Sequence, residues 1–282
     1  MKHAIFFFCV LLFAGSSWAG SGTFRSLEEA LKEPQKVKSL VLTLKGLETL
    51  PDVFDRFTQI EELTLANNRL ERLPPTLWQC TTLKILNLER NHLTTIPNGI
   101  GNLLLLEQLS VSANKLTALP EEIGALTTLK EFYASQNQIA RLPQSMGNLR
   151  ELMVLRLNSN AIDSIPASML TLQKLEYLDL SRNNIGRLPR EWGGLKNLRG
   201  LYLGYNSIPE LPPSMGLMTK LQELDVIHAG IFRMPNSLAE LQRLDRILID
   251  NRTTPFFQNP RYQHRQNIIV DGVGASPRQY GN

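Results

Sequence analysis

Leucine-like side chains recur along this chain with a fixed 23-residue period. Val37, Ile60, Leu83, Leu106, Leu129, Leu152, Leu175, Leu198, Leu221 and Leu244 open ten tandem copies with no insertion between them. In the copy that starts at Leu175, apolar residues follow at Leu178, Leu180, Ile185, Leu188, Trp192 and Leu195. The fourth and sixth positions alternate with polar neighbours, which is the pattern of a short strand with one buried face. Leu178 and Leu180 then point inward, and Tyr177, Asp179 and Ser181 point outward. The later I-x-x-L spacing predicts one loose helical turn that packs its apolar side inward. A unit this small cannot bury its apolar face alone, so successive copies must stack, strand beside parallel strand.

Two polar ladders keep the same phase. Asparagine fills the ninth position at Asn68, Asn91, Asn114, Asn137, Asn160, Asn183 and Asn206. Proline fills the fifteenth at Pro51, Pro74, Pro97, Pro120, Pro143, Pro166, Pro189, Pro212 and Pro235. An amide side chain carries both donors and an acceptor, which suits a tight turn whose backbone has left the strand ladder. Proline lacks an N–H and ends regular pairing. The unit L-x-x-L-x-L-x-x-N-x-L-x-x-L-P-x-x-I resembles the leucine-rich-repeat family, in particular its LPxxI-type subclass of bacterial exported proteins and plant intracellular Ras-group repeats. The resemblance covers Val37 to Arg252. It implies an α/β solenoid, a horseshoe with a parallel concave sheet and short helical or irregular turns on the convex side.

The segments flanking the repeats read differently. Residues 1–19 have a basic start at Lys2 and His3, an apolar run from Ala4 to Ala14, and Ser17-Trp18-Ala19 as a cleavage site, the pattern of a signal peptide. The run is too short to span a bilayer core of about 30 Å, so no integral membrane segment is expected after cleavage. Residues 20–36 are expected to form a capping helix, with Ser26-Leu27-Glu28-Glu29 as a capping box and Leu27, Ala30 and Leu31 covering the first coil. The ladder fades at Ala229 and Arg252, and residues 253–282 read as a C-terminal cap and tail. There Phe256 and Phe257 are the expected lid, Ile268-Ile269-Val270 a last strand, and Arg252, Arg261, Arg265 and Arg278 an alternative basic binding segment.

Composition narrows the function classes. The net charge is +4, with Lys+Arg 30 against Asp+Glu 26. Without a basic face this predicts no nucleic-acid partner. Cys80 is the one cysteine after cleavage and falls where other copies have an inward leucine, so a core thiol is expected. Family members from animal extracellular space close their ends with disulfide-bonded caps; the lack of them here points to an exported bacterial protein, periplasmic, surface-bound or secreted. No catalytic constellation, metal site or cofactor motif is found among His92, His228, His264 and the glycines. Gly101, Gly124, Gly147, Gly193 and Gly216 share the nineteenth position and are expected to serve the outer turn.

The third, fifth and seventh positions, with the eighth at the margin, should form the outward sheet face. In the first four copies they are mostly small or polar: Ser39, Thr43, Thr64, Asn87, Gln108 and Ser110. From the fifth copy the fifth position runs Tyr133, Arg156, Asp179, Tyr202, Asp225, beside Glu131, Tyr177 and Glu223 and, at the margin, Arg182, Tyr205 and His228. The four tyrosines of the repeats all fall on this face, and Tyr and Arg are enriched at interface hot spots. The ligand-binding residues are therefore expected to be Tyr133, Arg156, Tyr177, Asp179, Tyr202, Tyr205 and Asp225. The expected function is recognition of a protein or peptide by a monomeric, non-enzymatic module. A glycan or cell-wall surface and a structural spacer are the alternatives.

Overall fold

The computed structural model describes residues 22–230, 234–250 and 268–271. The leader, the Phe256–Phe257 lid and the basic tail residues expected from the sequence lie outside these residues.

Each copy contributes one short strand at its third to fifth positions: β2 Ser39–Val41, β3 Glu62–Thr64, β4 Ile85–Asn87, β5 Gln108–Ser110, β6 Glu131–Tyr133, β7 Val154–Arg156, β8 Tyr177–Asp179, β9 Gly200–Tyr202 and β10 Glu223–Asp225. With β1 Thr23–Phe24, β11 Arg246–Asp250 and β12 Ile268–Asp271 they form one 12-stranded sheet in chain order. Neighbouring repeat strands pair parallel, each residue opposite its repeat equivalent, as in Arg156↔Asp179 and Asp179↔Tyr202. The strand expected at Ile268 is present, paired to β11. The fold is an α/β solenoid in which the outer segments are 3-10 turns, such as Pro75–Gln79 and Gln144–Asn148, rather than α-helices.

Inward residues stack into one continuous core. Leu40, Leu63, Leu86, Leu109, Phe132, Leu155, Leu178 and Leu201 are buried in successive coils. Full burial of such a side chain contributes about 1.5–3 kcal/mol. Cys80 belongs to this core; its Sγ donates to Phe54 O at 3.3 Å. Burial, and then the charge of Asp55, pushes its pKa up to about 12, the inert behaviour of a structural thiol.

The asparagines form a spine. Asn183 Oδ1 accepts the Ile162 N–H at 3.0 Å, while Nδ2 donates to Leu157 O at 3.0 Å and Leu180 O at 2.9 Å. Leu180 O also accepts from Asn206, and Leu157 O from Asn160, so each shared carbonyl joins two coils. The spine stops at Ala229, whose backbone carbonyl accepts the Ile208 N–H at 2.6 Å in place of an amide side chain. Just before each spine position the backbone turns left-handed. Leu44, Asn67, Arg90, Ala113, Gln136, Ser159, Arg182, Tyr205 and His228 all have φ between 52° and 58°. Such a conformation costs a residue with a Cβ roughly 1–2 kcal/mol, and the spine bonds offset it.

The outer side has its own lock. A Cβ on Gly124 would lie 2.5 Å from Ser145 O, and one on Gly216 would lie 2.7 Å from Ser237 O. The same serines donate back, Ser145 Oγ to Glu121 O and Ser237 Oγ to Pro213 O, both at 2.6 Å. Glycine at the nineteenth position thus admits the next coil's seventeenth, as the sequence suggested for these glycines. One junction swaps the partners: Trp78 stands at the nineteenth and Gly99 at the seventeenth, where a Cβ would lie 2.5 Å from Trp78 Cγ. Another junction has neither glycine. There Leu170 faces the coil of Glu191, and the longer Gln173 side chain bridges the gap, donating to Leu170 O at 3.0 Å and Gly194 O at 3.1 Å. The next turn shortens to Trp192–Gly194. Trp192 is fully buried, and its Nε1–H meets no acceptor among the described residues.

At the N-terminal end α1 Leu27–Lys32 buries Ala30 and packs Leu27 and Leu31 against the first coil. The expected capping box is not formed: Ser26 precedes the helix in extended conformation, but its side chain caps nothing. Glu28 and Glu29 are exposed, so water can serve their N–H groups. Strand β1, which the sequence analysis did not anticipate, extends the sheet beyond β2.

Candidate functional site: the outward face of strands β6–β10

The face is built on identical backbone from coil to coil, so its character is set by side chains alone. On β2–β5 the outward residues Ser39, Thr64, Asn87 and Ser110 are small and buried among their neighbours. On β6–β9 Tyr133, Arg156, Tyr177, Asp179 and Tyr202 are half-buried. Asp225 departs from the expectation of an accessible site residue, being only 7% exposed. Gly204 leaves room beside it, so that a Cβ there would lie 3.2 Å from Asp225 Oδ1. Asp225 settles into that room and accepts the Ile227 N–H at 2.9 Å.

Glycine shapes the centre of the face as well. A Cβ on Gly200 would meet Tyr177 Cδ1 at 2.8 Å and Tyr202 Cε2 at 3.1 Å. The two rings therefore lie across Gly200, one from β8 and one from β9. The Tyr202 hydroxyl donates to Glu223 Oε2 at 2.6 Å, and Arg246 holds Glu223 Oε1 at 3.0 Å. The Tyr133 hydroxyl donates to Glu131 Oε2 at 2.8 Å. Burial first, and then these acidic partners, hold both phenols above their ordinary pKa range. Burial raises the Tyr177 phenol too, against the nearby charge of Arg199. Asp179 Oδ1 accepts the Ser181 N–H at 3.0 Å and its hydroxyl at 2.7 Å. Burial still leaves the Asp179 carboxyl above its usual pKa, the Ser181 bonds and Arg156 pulling the other way.

Two guanidinium groups rest on tyrosine rings. Arg156 lies over Tyr133 at 5.7 Å from the ring centroid, and Arg182 over Tyr205 at 4.3 Å. Tyr205 also packs against His228, with centroids 4.9 Å apart and planes tilted by 60°. Arg182, Tyr205 and His228 are consecutive members of the left-handed row and form a three-coil stack along the sheet margin. The structure thus brings Tyr177 together with Tyr202, Tyr133 with Arg156, and Tyr205 with the marginal Arg182 and His228. It turns Asp179 and Asp225 down onto the backbone beside them.

A family model described as leucine rich repeat matches residues 58–116 and 150–208. These matched stretches repeat the strand, asparagine and outer-turn geometry described above. Over these stretches the chain carries leucine-rich repeats. Solved structures agree with this assignment. A Leptospira interrogans leucine-rich-repeat protein is similar at 27% identity and a TM-score of 0.51, over 82% of this chain and 72% of that one. The repeat domain of the type III effector XopL is similar at 26% identity and a TM-score of 0.69, over 78% of this chain and 79% of that one. The Arabidopsis receptor kinase HAESA, solved with the peptide hormone IDA and the co-receptor SERK1, is similar at 28% identity and a TM-score of 0.61. That likeness covers 78% of this chain but only 41% of the HAESA chain. No curated protein matches the chain.

Among the described residues, no cluster of His, Cys, Asp and Glu could hold a metal ion, and no helix is long and apolar enough to cross a membrane. The face offers aromatic surface, hydrogen bonds fixed within the face, and guanidinium groups. The ring stack at the margin, the seating of Asp225 and the role of Gly200 escaped sequence reasoning. A glycine in the middle of an outward strand phase, flanked by tyrosines one coil back and two residues on, was the available signal for the last of these.

Proposed function

We propose that this chain is an exported recognition module that binds a protein or peptide ligand through the outward face of β6–β10. The observation that carries the reading is the pair Tyr177 and Tyr202, laid across Gly200, with the Tyr202 hydroxyl held by Glu223. Rings fixed in this way offer apolar area without losing side-chain freedom on binding, which favours affinity. The similarity to a receptor solved with a peptide hormone supports the ligand class. Residues 1–19, with their basic, apolar and small-residue segments, support export.

The test is selection of peptides from a displayed random library on the purified chain. Selected peptides are expected to bind the Y177A/Y202A variant at least about tenfold more weakly, as for a hot-spot pair, with an unchanged melting temperature. Equal affinity for both proteins, or no enrichment at all, overturns the reading. A glycan array on the same pair of proteins tests the alternative: glycan binding lost in the variant, with no peptide enriched, makes this a sugar-binding face. Export is checked separately by the N-terminal sequence of the protein recovered from its host, expected to begin after Ala19.

A further inference from the structure

The polar groups of this face are not equally available. Each of its acids is already engaged from within: Glu131 by the Tyr133 hydroxyl, Asp179 by Ser181, Glu223 by Tyr202 and Arg246, and Asp225 by the Ile227 N–H. The Tyr133 and Tyr202 hydroxyls are spent on those same acids. Arg156 and Arg182 differ. Both cation–ring contacts among the described residues lie on this face, and they belong to these two side chains. A ring beneath a guanidinium fixes its plane and leaves its N–H edge for an acceptor. Arg156 stands directly opposite Asp179 across the β7–β8 pair, yet Asp179 Oδ1 turns to Ser181. Along the neighbouring flank, by contrast, Lys84, Lys130 and Arg199 are paired to Glu61, Glu107 and Glu176.

From this asymmetry we infer that the partner is an acidic peptide segment, whose carboxylates take the N–H edges of Arg156 and Arg182 while its apolar atoms lie on the rings of Tyr177 and Tyr202. The inference rests on the recognition reading above. Arg156 sits at the fifth position of one coil and Arg182 at the eighth position of the next, so the two anchors run diagonally from the strand to its margin. Tyr177 on β8 and Tyr202 on β9 lie to one side of the line between these anchors, so a peptide that spans them passes beside the rings. The guanidinium planes favour bidentate carboxylates over a point charge of the opposite sign.

The probe is a fluorescein-labelled oligoglutamate that carries one central tyrosine, followed by anisotropy against the full chain. Oligolysine with the same tyrosine and a heparin oligosaccharide serve as controls. The acidic probe is expected to bind, to weaken as salt is raised, and to lose at least about tenfold in affinity for R156Q/R182Q. The R156K/R182K variant is expected to fall between, because it keeps charge without the planar fork. Unchanged melting temperatures exclude misfolding as the cause. Oligoglutamate binding that ignores R156Q/R182Q overturns the inference, as does preference for oligolysine. So does binding of heparin alone, which would make the ligand a sulfated glycan. If library-selected peptides need Tyr177 and Tyr202 but ignore both arginines, the recognition reading stands and the acidic partner falls. If no peptide binds by any route, both fall together.

Discussion

Strands β2–β5 and β6–β10 share one backbone, one register and one asparagine spine, yet present different chemistry on the same outward phase. The first group carries Ser39, Thr64, Asn87 and Ser110, small and covered. The second carries rings and guanidinium groups that reach over neighbouring coils. The difference teaches that the face is uncoupled from the scaffold. What holds the coils together lies in the core, the spine and the outer lock, and core and spine run through both sides of the divide. Changes in the scaffold should therefore destabilise the protein wherever they are made, whereas changes on the face should leave it folded and alter chiefly what it binds.

The largest expected effect is at the outer lock. Gly124→Val places a branched side chain where even a Cβ lies 2.5 Å from Ser145 O. Backbone must move, and a loss of about 3 kcal/mol, the upper range of overpacking, is expected in urea unfolding. Gly186→Ala is the control: nothing lies within 4 Å of its would-be Cβ, and the midpoint should not move. Next comes the spine. Asn183→Ala strands the Ile162 N–H and removes a donor from both Leu157 O and Leu180 O. Unsatisfied buried groups cost about 1–3 kcal/mol, so a loss of roughly 2–3 kcal/mol is expected from the same measurement.

Much of this scaffold was legible in the sequence, because its residues answer to the period itself. The seven spine asparagines, the core thiol at Cys80 and the glycines of the outer turn share phases that no other constraint explains. The left-handed row was not legible: Leu44, Arg90, Tyr205 and His228 have nothing in common except the turn they stand in. The glycine–serine lock was only half visible, since it depends on how closely two coils approach. On the face, the phases of Tyr133, Arg156, Tyr177 and Tyr202 could be read, but not which ring lies over which glycine or beneath which arginine. Those contacts follow from side-chain rotamers across coils. The burial of Asp225 follows from the space left by Gly204 in the coil before it.

A titration compares scaffold and face in one experiment. The Cys80 thiol, with an ordinary value of 9.0, is pushed up to about 12 by burial. Tyr133 and Tyr202 are raised from an ordinary 10.0. For each group the folded state holds its proton more tightly than the unfolded state does. Its contribution to stability is complete below the ordinary value and is lost as pH rises from that value through the raised one. Stability should therefore begin to fall above pH 9.0 through Cys80 and more steeply above pH 10.0 through the tyrosines. Cys80→Ala should flatten the first part of the decline, and Y133F/Y202F the second. Unfolding midpoints across this range check both. A decline unchanged in both variants would assign it to other groups.

The smallest expected effect is the one that bears most directly on the comparison. Tyr205→Ser puts into the left-handed row a residue it already holds at Ser159, so the backbone meets nothing new. The change removes the ring between Arg182 and His228. Tyr205 is 37% exposed, and a cation–ring contact at such a site is worth about 0.5–1 kcal/mol. The urea midpoint should shift by no more than that. If face and scaffold are uncoupled, adding Arg182→Ser should cost nothing further, because the second substitution has no contact left to break. A double variant much less stable than the single one would mean that the stack also supports the turn beneath it. The margin of the face would then belong to the scaffold after all, and only the sheet-borne residues Tyr133, Arg156, Tyr177 and Tyr202 would remain free to change with the ligand.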